Sequence, residues 1–523
     1  MVDVVQDVKA EVTIIFKNGD RYEMPLSDGV TSLDNYCTSI DIDEQLYKNS
    51  SNNVVGNVCG NTMSLNLVSR DKLLIPNNDD SIYSGMMNNT AMVEVTFKYV
   101  YYDRETERNV NVEEFMGRYF VDTWEGGTDA SRSQEVSISA VDLFSKVKNI
   151  PLTKMRTRRW LSFNDYIKYV INTLNRGLPE VMQVHYRDAD LDIYKNSNYE
   201  WQMEYNNIDR DTVEVLFNSI AKDSISYIWI DRDGYLQTDH LLDDTASESV
   251  CLLSGSKNLL EYNVQAGAVN NYSGVSVKYI ENITLARDLL LDIKDATLDI
   301  GDNLLSERKM KSDKVYNIDE IAFDSDTAQT LHFDYYKDKL DLYINAGEYR
   351  PYTIKVYGTY IIEDYGTVIR YKDEDNKDTI IEMENRVLRK ELINRYVNGL
   401  INLMSCKNAQ VQCTGYINPS LRCGNTCHFI GSRFNVNAYY KVVGLKFSLS
   451  GASYRCTANL IKTVETEETV DDILCSQMEK LYNAAMGAYI DINSIQDVTD
   501  AQDAYIMSNI GDLLNKLKET VEE

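Results

Sequence analysis

The sequence predicts an α+β chain dominated by β structure, on three observations. Apolar and polar residues alternate with period 2 through most of the 523 residues, and only a few stretches switch to the helical period. Tyr, a β-former with an apolar body and a polar tip, occurs 37 times against 12 Phe and 4 Trp, while Pro occurs only 6 times. At about one domain per 150 residues the length implies three or four units. The Tyr excess suits sheets and wet interfaces, and a compositional bias of the source would produce it equally well.

The elements follow in order. Glu11–Phe16, Asn18-Gly19 and Tyr22–Met24 read as a hairpin, because Asn-Gly accepts the two positive φ values of a tight turn. Strands are predicted at Thr62–Val68, Ala91–Tyr102, Gly117–Asp122 and Val136–Asp142, with a turn-rich loop over Leu74–Tyr83. Residues 1–150 therefore form a β domain with the strand density of a barrel. Ser162 followed by Asp165 opens a helix with Phe163, Ile167, Val170 and Leu174 on one face, which Gly177 and Pro179 end. A second helix over Arg210–Ala221 leads into the strand Ser226–Ile230, the turn Asp231-Arg-Asp-Gly234 and the return strand Tyr235–Thr238, so residues 151–250 form an α+β unit.

Strands resume over 262–280. A charged stretch near 285–326 has mixed periodicity, and Tyr-rich strands follow at 341–344, 352–357 and 368–371. A helix at about 384–404 precedes a β block over Gln410–Lys462, and the segment from Thr469 reads as helical, with a last short amphipathic helix around Ile510–Val521. Residues 251–280 with 384–463 form a second β domain, 281–383 an inserted β-rich domain, and 464–523 a helical tail.

Charge excludes one class of function. With 53 Lys+Arg against 81 Asp+Glu the net charge is −28, and such a chain repels polyanions rather than binding them. The acidic opening residues Asp3, Asp7 and Glu11 argue against a secretory signal, and no run approaches the roughly 18 apolar residues a membrane span needs. The nine cysteines then read as reduced thiols made in a cytoplasm.

Candidate chemistry is thin. Cys413, Cys423, Cys427 and His428 fall close together, but only Cys423 and Cys427 have zinc-knuckle spacing, and strand alternation would send Cys427 and His428 to opposite faces. Asp188-x-Asp190-x-Asp192 has Ile193 and Tyr199 where a calcium loop needs Gly and a bidentate Glu, Asp373-x-Asp375 has Asp378 in place of the Gly, and both read as solvated acidic turns. No nucleophile elbow, zinc-protease motif or phosphate loop occurs, and none of His185, His240, His332 and His428 lies in a nucleophile context. No enzyme, metal or cofactor is expected.

Several stretches, taken in succession, resemble one family. Gly60–Leu67, Leu74–Asn78 with Ser81–Tyr83, and Met92–Val95 are similar to the opening barrel of tailed-bacteriophage baseplate hub proteins, which Gly117–Asp122 and Val136–Asp142 continue. Ser162–Tyr205 and Val213–Leu236 resemble the middle of such hubs. Pro419-Ser-Leu-Arg-Cys-Gly424-Asn425, with Tyr440–Val443 and Leu449–Thr457, resembles their second barrel; Asn425 stands where the family usually has Asp. Pro419, Leu421, Gly424 and Asn425 are the family-like hub turn. Residues 281–383 and the segment after Thr463 have no counterpart.

The resemblance implies a homotrimer in which two similar β-barrels per chain make a pseudo-sixfold ring. That ring would join a sixfold tail tube to a threefold central spike and form the distal channel. Expected partners are further copies, the tail tube or distal tail protein, the central spike or tail-tip protein, and baseplate wedge proteins, in a virion tail assembled in the host cytoplasm. The hub of a contractile injection machine fits the same pattern. Two rival readings stand beside it: a tail-tip glycan-binding protein, suggested by the Tyr-rich strands, and a tail-associated peptidoglycan hydrolase with catalysis in 281–383.

Overall fold

The alternation read from the sequence becomes one large sheet, because each strand buries one row of side chains and leaves the other in water. The protein is described by a computed structural model. It describes residues 5–18, 21–23, 37–46, 58–68, 74–81, 83–103, 108–128, 134–152, 159–188, 190–191, 202–205, 212–240, 251–254, 258–266, 273–336, 338–371, 379–385, 388, 390–406, 409–431, 436–451 and 453–462. The expected helical tail 464–523 lies outside these residues.

Both β blocks enter a single 13-stranded sheet. In the first block, Val5–Asn18, Met92–Asp103, Arg108–Thr128, Gln134–Val141, Thr62–Val68 and Cys37–Gln45 pair antiparallel in that spatial order. The second block is built from Val436–Ser450, Ser453–Lys462, Ala409–Gly415 and Leu259–Ala266, with Thr426–Gly431 and Cys251–Ser254 alongside. The two join where Gly444 to Ser450 runs antiparallel to Gln45 to Ser39. The blocks were expected as two barrels. They are joined in one sheet and share one core, in which Phe97 meets Phe447 and Tyr454 edge-on at 6.4 and 6.3 Å. Period-2 patterning fixes which face of a strand is buried but not which strand lies beside it, so this fusion could not be read in advance.

The middle unit caps one end of the sheet. Ser162 caps the helix Phe163–Asn175 as expected: its Oγ accepts from the Asp165 N–H at 3.1 Å and donates to Asp165 Oδ2 at 2.8 Å. A second helix, Val213–Ser224, ends on Ile225, a β-branched residue held left-handed at φ 50° and fully buried. Burial of such a side chain, about 1.5–3 kcal/mol, offsets the roughly 1–2 kcal/mol cost of that conformation. Phe144 and Phe217 stack at 6.1 Å, and the helix faces close over Ile15, Met92 and Phe120 of the sheet.

Residues 274–371 project as a ribbon. Gly274–Leu298 and Arg350–Tyr371, 25 and 22 residues long, pair antiparallel almost from end to end. At about 3.3 Å per residue that is on the order of 80 Å. Its root, Val275 and Val277, packs with the middle-unit helices, while its far part carries a separate core around Leu290, Leu342, Ile344 and Ile354. The strand crosses residues 280 and 281 without a break. The stretch 285–326 alternated poorly because three strands share it, broken by skips in register near Leu289 and Ile293.

The helix expected from about 384 starts later. Ile380–Asn385 is a strand parallel to Gly274–Tyr279, and the helix runs Ile393–Cys406. Asn385 separates the two: its Oδ1 accepts from the Leu388 N–H at 3.1 Å and its Nδ2 donates to Asp223 O at 3.1 Å. Among the described residues no helix is long and apolar enough to cross a membrane.

Candidate functional site

The turn singled out in the sequence, Pro419 to Asn425, lies where the two β blocks and the middle unit meet, and an arginine holds it there. Arg232 occupies the turn between the strands Ser226–Ile230 and Leu236–His240 of the middle unit. Asp231 shapes that turn by accepting the Asp233 and Tyr235 N–H groups at 3.0 and 2.8 Å, and Gly234 completes it at φ 83°. The hairpin thrusts the guanidinium into the seam between the two β blocks, where only 7% of the residue is exposed.

Every N–H of that guanidinium has an acceptor. Nε and Nη2 meet the two oxygens of Glu44 at 2.7 and 3.1 Å, a bidentate pair with the first block. Nη1 donates to Pro419 O at 2.8 Å and Nη2 to Leu421 O at 2.9 Å, both in the second block's turn. Nη1 also lies 3.4 Å from Glu114. Burial works against the charge, but the attraction of Glu44 and its hydrogen bonds outweigh burial and hold Arg232 protonated well above its usual range. Arg422 repeats the pattern at the rim, bonding Glu114 and Asp233 at 3.0 Å each.

The turn has its own requirements. Gly424 adopts φ +89°, and a Cβ there would come within 2.9 Å of the Trp229 ring. Its N–H donates to Val442 O at 2.8 Å, while Asn425 Oδ1 accepts from the Arg422 N–H at 2.8 Å. Asn425 therefore closes the turn through the side-chain oxygen that an Asp would also supply.

The metal candidates are separated by the fold. Cys413 and Cys427 lie in the core, where the neighbouring Cys251 thiol and burial push Cys427 up and burial pushes Cys413 up. Cys423 Sγ donates to Glu44 O at 3.6 Å. His428 turns to the other face, where it stacks on Tyr439 at 4.9 Å and meets Asn437 at 2.6 Å. Among the described residues no group of three or more His, Cys, Asp or Glu is arranged to hold a metal ion. Asp188 pairs with Lys168 at 2.8 Å and Asp190 accepts from Gln237 at 2.9 Å; Asp192, Asp373 and Asp375 lie outside the described residues.

Beside the junction, the water-facing side of the shared sheet is carpeted with short polar side chains. One row runs Arg455, Ser448, Asp41, Ser64, Ser139, Thr123 across six strands, and the next runs Ser453, Ser450, Ser39, Asn66, Ser137, Glu125. Ser39, Asn66, Glu125, Glu135 and Ser137 line a recess of about 480 Å³ in it. A second cavity, of about 160 Å³, adjoins Arg232 and is lined by Asn61, Arg118, Asp142, His185 and Asp231. Asp142 accepts the Asn61 and Ser145 N–H groups at 2.8 and 2.9 Å, and burial pushes its carboxyl up to about 6 despite them.

Sequence reasoning singled out the turn Pro419 to Asn425 but missed its partners. A lone Arg in an Asp-Arg-Asp-Gly turn reads as solvent-exposed; the signal available was Glu44, a charge at an inward position of the otherwise regular strand Cys37–Gln45.

No protein-family model matches the chain, and no curated protein matches it in sequence. Solved structures that resemble it are phage tail and baseplate proteins and type VI secretion components. A tail protein from Neisseria meningitidis MC58 is 11% identical with TM-score 0.47, over 87% of this chain and 97% of that one. The 43 kDa tail protein of prophage MuSo2 from Shewanella oneidensis is 10% identical with TM-score 0.47, over 86% and 98%. Prophage tail protein gp18 from Listeria monocytogenes EGD-e is 10% identical with TM-score 0.40, over 91% and 99%.

Proposed function

We propose that the protein is the structural hub of a phage tail baseplate. Three copies form a ring that joins a sixfold tail tube to a threefold central spike and encloses the distal channel. The observation that carries this reading is the continuous sheet: two β blocks distant in sequence lie side by side in one chain, so three copies offer six blocks to a sixfold partner. A ring under load needs blocks that do not shear apart, and the buried five-bond arginine supplies that.

The polar face is suited to the channel wall. Hydroxyls, amides and carboxylates outnumber Arg455 in its two rows and offer little cationic grip to a polyanion, and like-charge repulsion keeps it moving. Partners in this reading are further copies, the tube or distal tail protein, the spike or tip protein and wedge proteins, within a virion tail assembled in the host cytoplasm. The protein works mechanically, without catalysis or cofactor.

Light scattering on the purified chain tests it. A stable particle of three times the 59.9 kDa chain mass is expected, and a monomer at all concentrations overturns the reading. Virions labelled on this protein should carry the label where tube meets tip.

A further inference from the structure

The far end of the projecting ribbon carries a second face with a different chemistry. Three strands, Gly301–Lys309, Lys339–Ala346 and Ala328–Tyr336, form a sheet whose inner side is the separate core of Leu340, Leu342, Ile344 and Ala346. The outer side is ordered in rows. Leu304, Tyr343 and His332 stand opposite one another across the three strands, with the His332 and Tyr343 rings 5.7 Å apart. Leu331, which the ladder skips, adds to the same patch. Leu304 and Leu331 are each 52% exposed and Tyr343 is 37% exposed, large apolar groups that water would otherwise push inward.

Planar polar groups flank this apolar row on both sides. On one side Asp302, Asn345 and Gln329 form the next row, with Asn345 donating to Asp302 at 2.7 Å. On the other side stands Asp334, while its neighbour Asp341 is buried and accepts from the Ser306 hydroxyl at 3.1 Å and the Glu307 N–H at 2.7 Å. Rows two residues apart along a strand are separated by about 7 Å, and neighbouring strands by about 4.8 Å. Such a surface offers a flat ring to stack on, with carboxylate and amide groups one row away on either side.

We propose that this face binds a neutral oligosaccharide. A pyranose ring presents an apolar C–H face to Tyr343 and its equatorial hydroxyls to Asp302, Asn345 and Gln329. The carboxylates Asp302 and Asp334 repel phosphorylated or uronic-acid glycans, which selects for an uncharged chain. This assignment is independent of the hub reading, since it concerns a projecting unit with its own core.

The full-length protein is tested on immobilised maltohexaose, cellohexaose and chitohexaose, with hyaluronan hexasaccharide as the anionic comparison. Retention on at least one neutral hexasaccharide above hyaluronan is expected. Tyr343→Ala weakens it by about tenfold, in line with the loss of one stacking ring, while Tyr343→Phe, which keeps the ring, retains it. Far-UV circular dichroism of both variants checks folding, and the Phe variant with Asn345→Ala carries the test if the Ala variant unfolds. Absence of retention on all three neutral sugars overturns the proposal. So does equal retention by Tyr343→Ala, or a self-association that Tyr343→Ala abolishes, since that would seat a second copy on the face.

Discussion

The junction around Arg232 and the projecting ribbon both use charge, in opposite ways. At the junction, one cation and its acceptors are withdrawn from water, and each hydrogen bond is specified by geometry. Along the ribbon, pairs such as Lys311 with Asp288, Arg350 with Asp324 and Lys339 with Glu307 stand in solvent. Desolvation makes the first arrangement expensive to disturb, whereas screening makes the second nearly neutral. An acidic chain therefore spends few of its charges on holding its parts together and most on its surface.

The largest expected effect comes from Arg232→Ala, which leaves Glu44 buried without a partner and removes the donors to Pro419 and Leu421. It should lower unfolding free energy by about 3–5 kcal/mol, read by urea denaturation. Replacing Arg232 and Glu44 together by Met should cost clearly less, and an equal loss would mean that the pair is not the seat of the effect.

Asp142 sets the next effect. Burial raises its carboxyl from 3.8 to about 6, so below pH 4 it is protonated in the folded and unfolded protein alike. Between pH 4 and 6 the unfolded chain releases the proton first, and stability declines as pH rises, by an amount on the order of 3 kcal/mol. Asp142→Asn keeps an oxygen for the Ser145 N–H, and the difference between it and the parent should vary with pH in that window. A constant difference would contradict the assignment.

Gly424→Ala comes third, at about 1–3 kcal/mol, from the left-handed backbone and the contact with Trp229. Last, Asp288→Asn on the ribbon should leave the thermal midpoint unmoved, and a clear shift would show that the ribbon's pairs matter more than their exposure suggests.

Local rules made much of this legible. The Ser162 cap, the strand Thr62–Val68 and the hairpin around Asp231–Gly234 each rest on neighbours within a few residues, and each stands where its pattern put it. What was hidden depends on distant partners. Nothing near Glu44 announces Arg232, and nothing near Cys37–Gln45 announces Val436–Ser450. The rows on the ribbon's distal face were hidden for the same reason: Leu304, Tyr343 and His332 are ordinary alternating residues until three strands align them.

The ladder between Cys37–Gln45 and Val436–Ser450 also has a temporal consequence. A nascent chain exposes the Cys37–Gln45 edge long before its partner leaves the ribosome, and pairing across so large a sequence separation makes closure slow. The early edge must stay soluble in the meantime, and its outward Ser39, Asp41 and Asp43 serve that purpose. The shared sheet is thus complete only once Val436–Ser450 has been made, since an unfinished chain lacks the strand that joins its two halves.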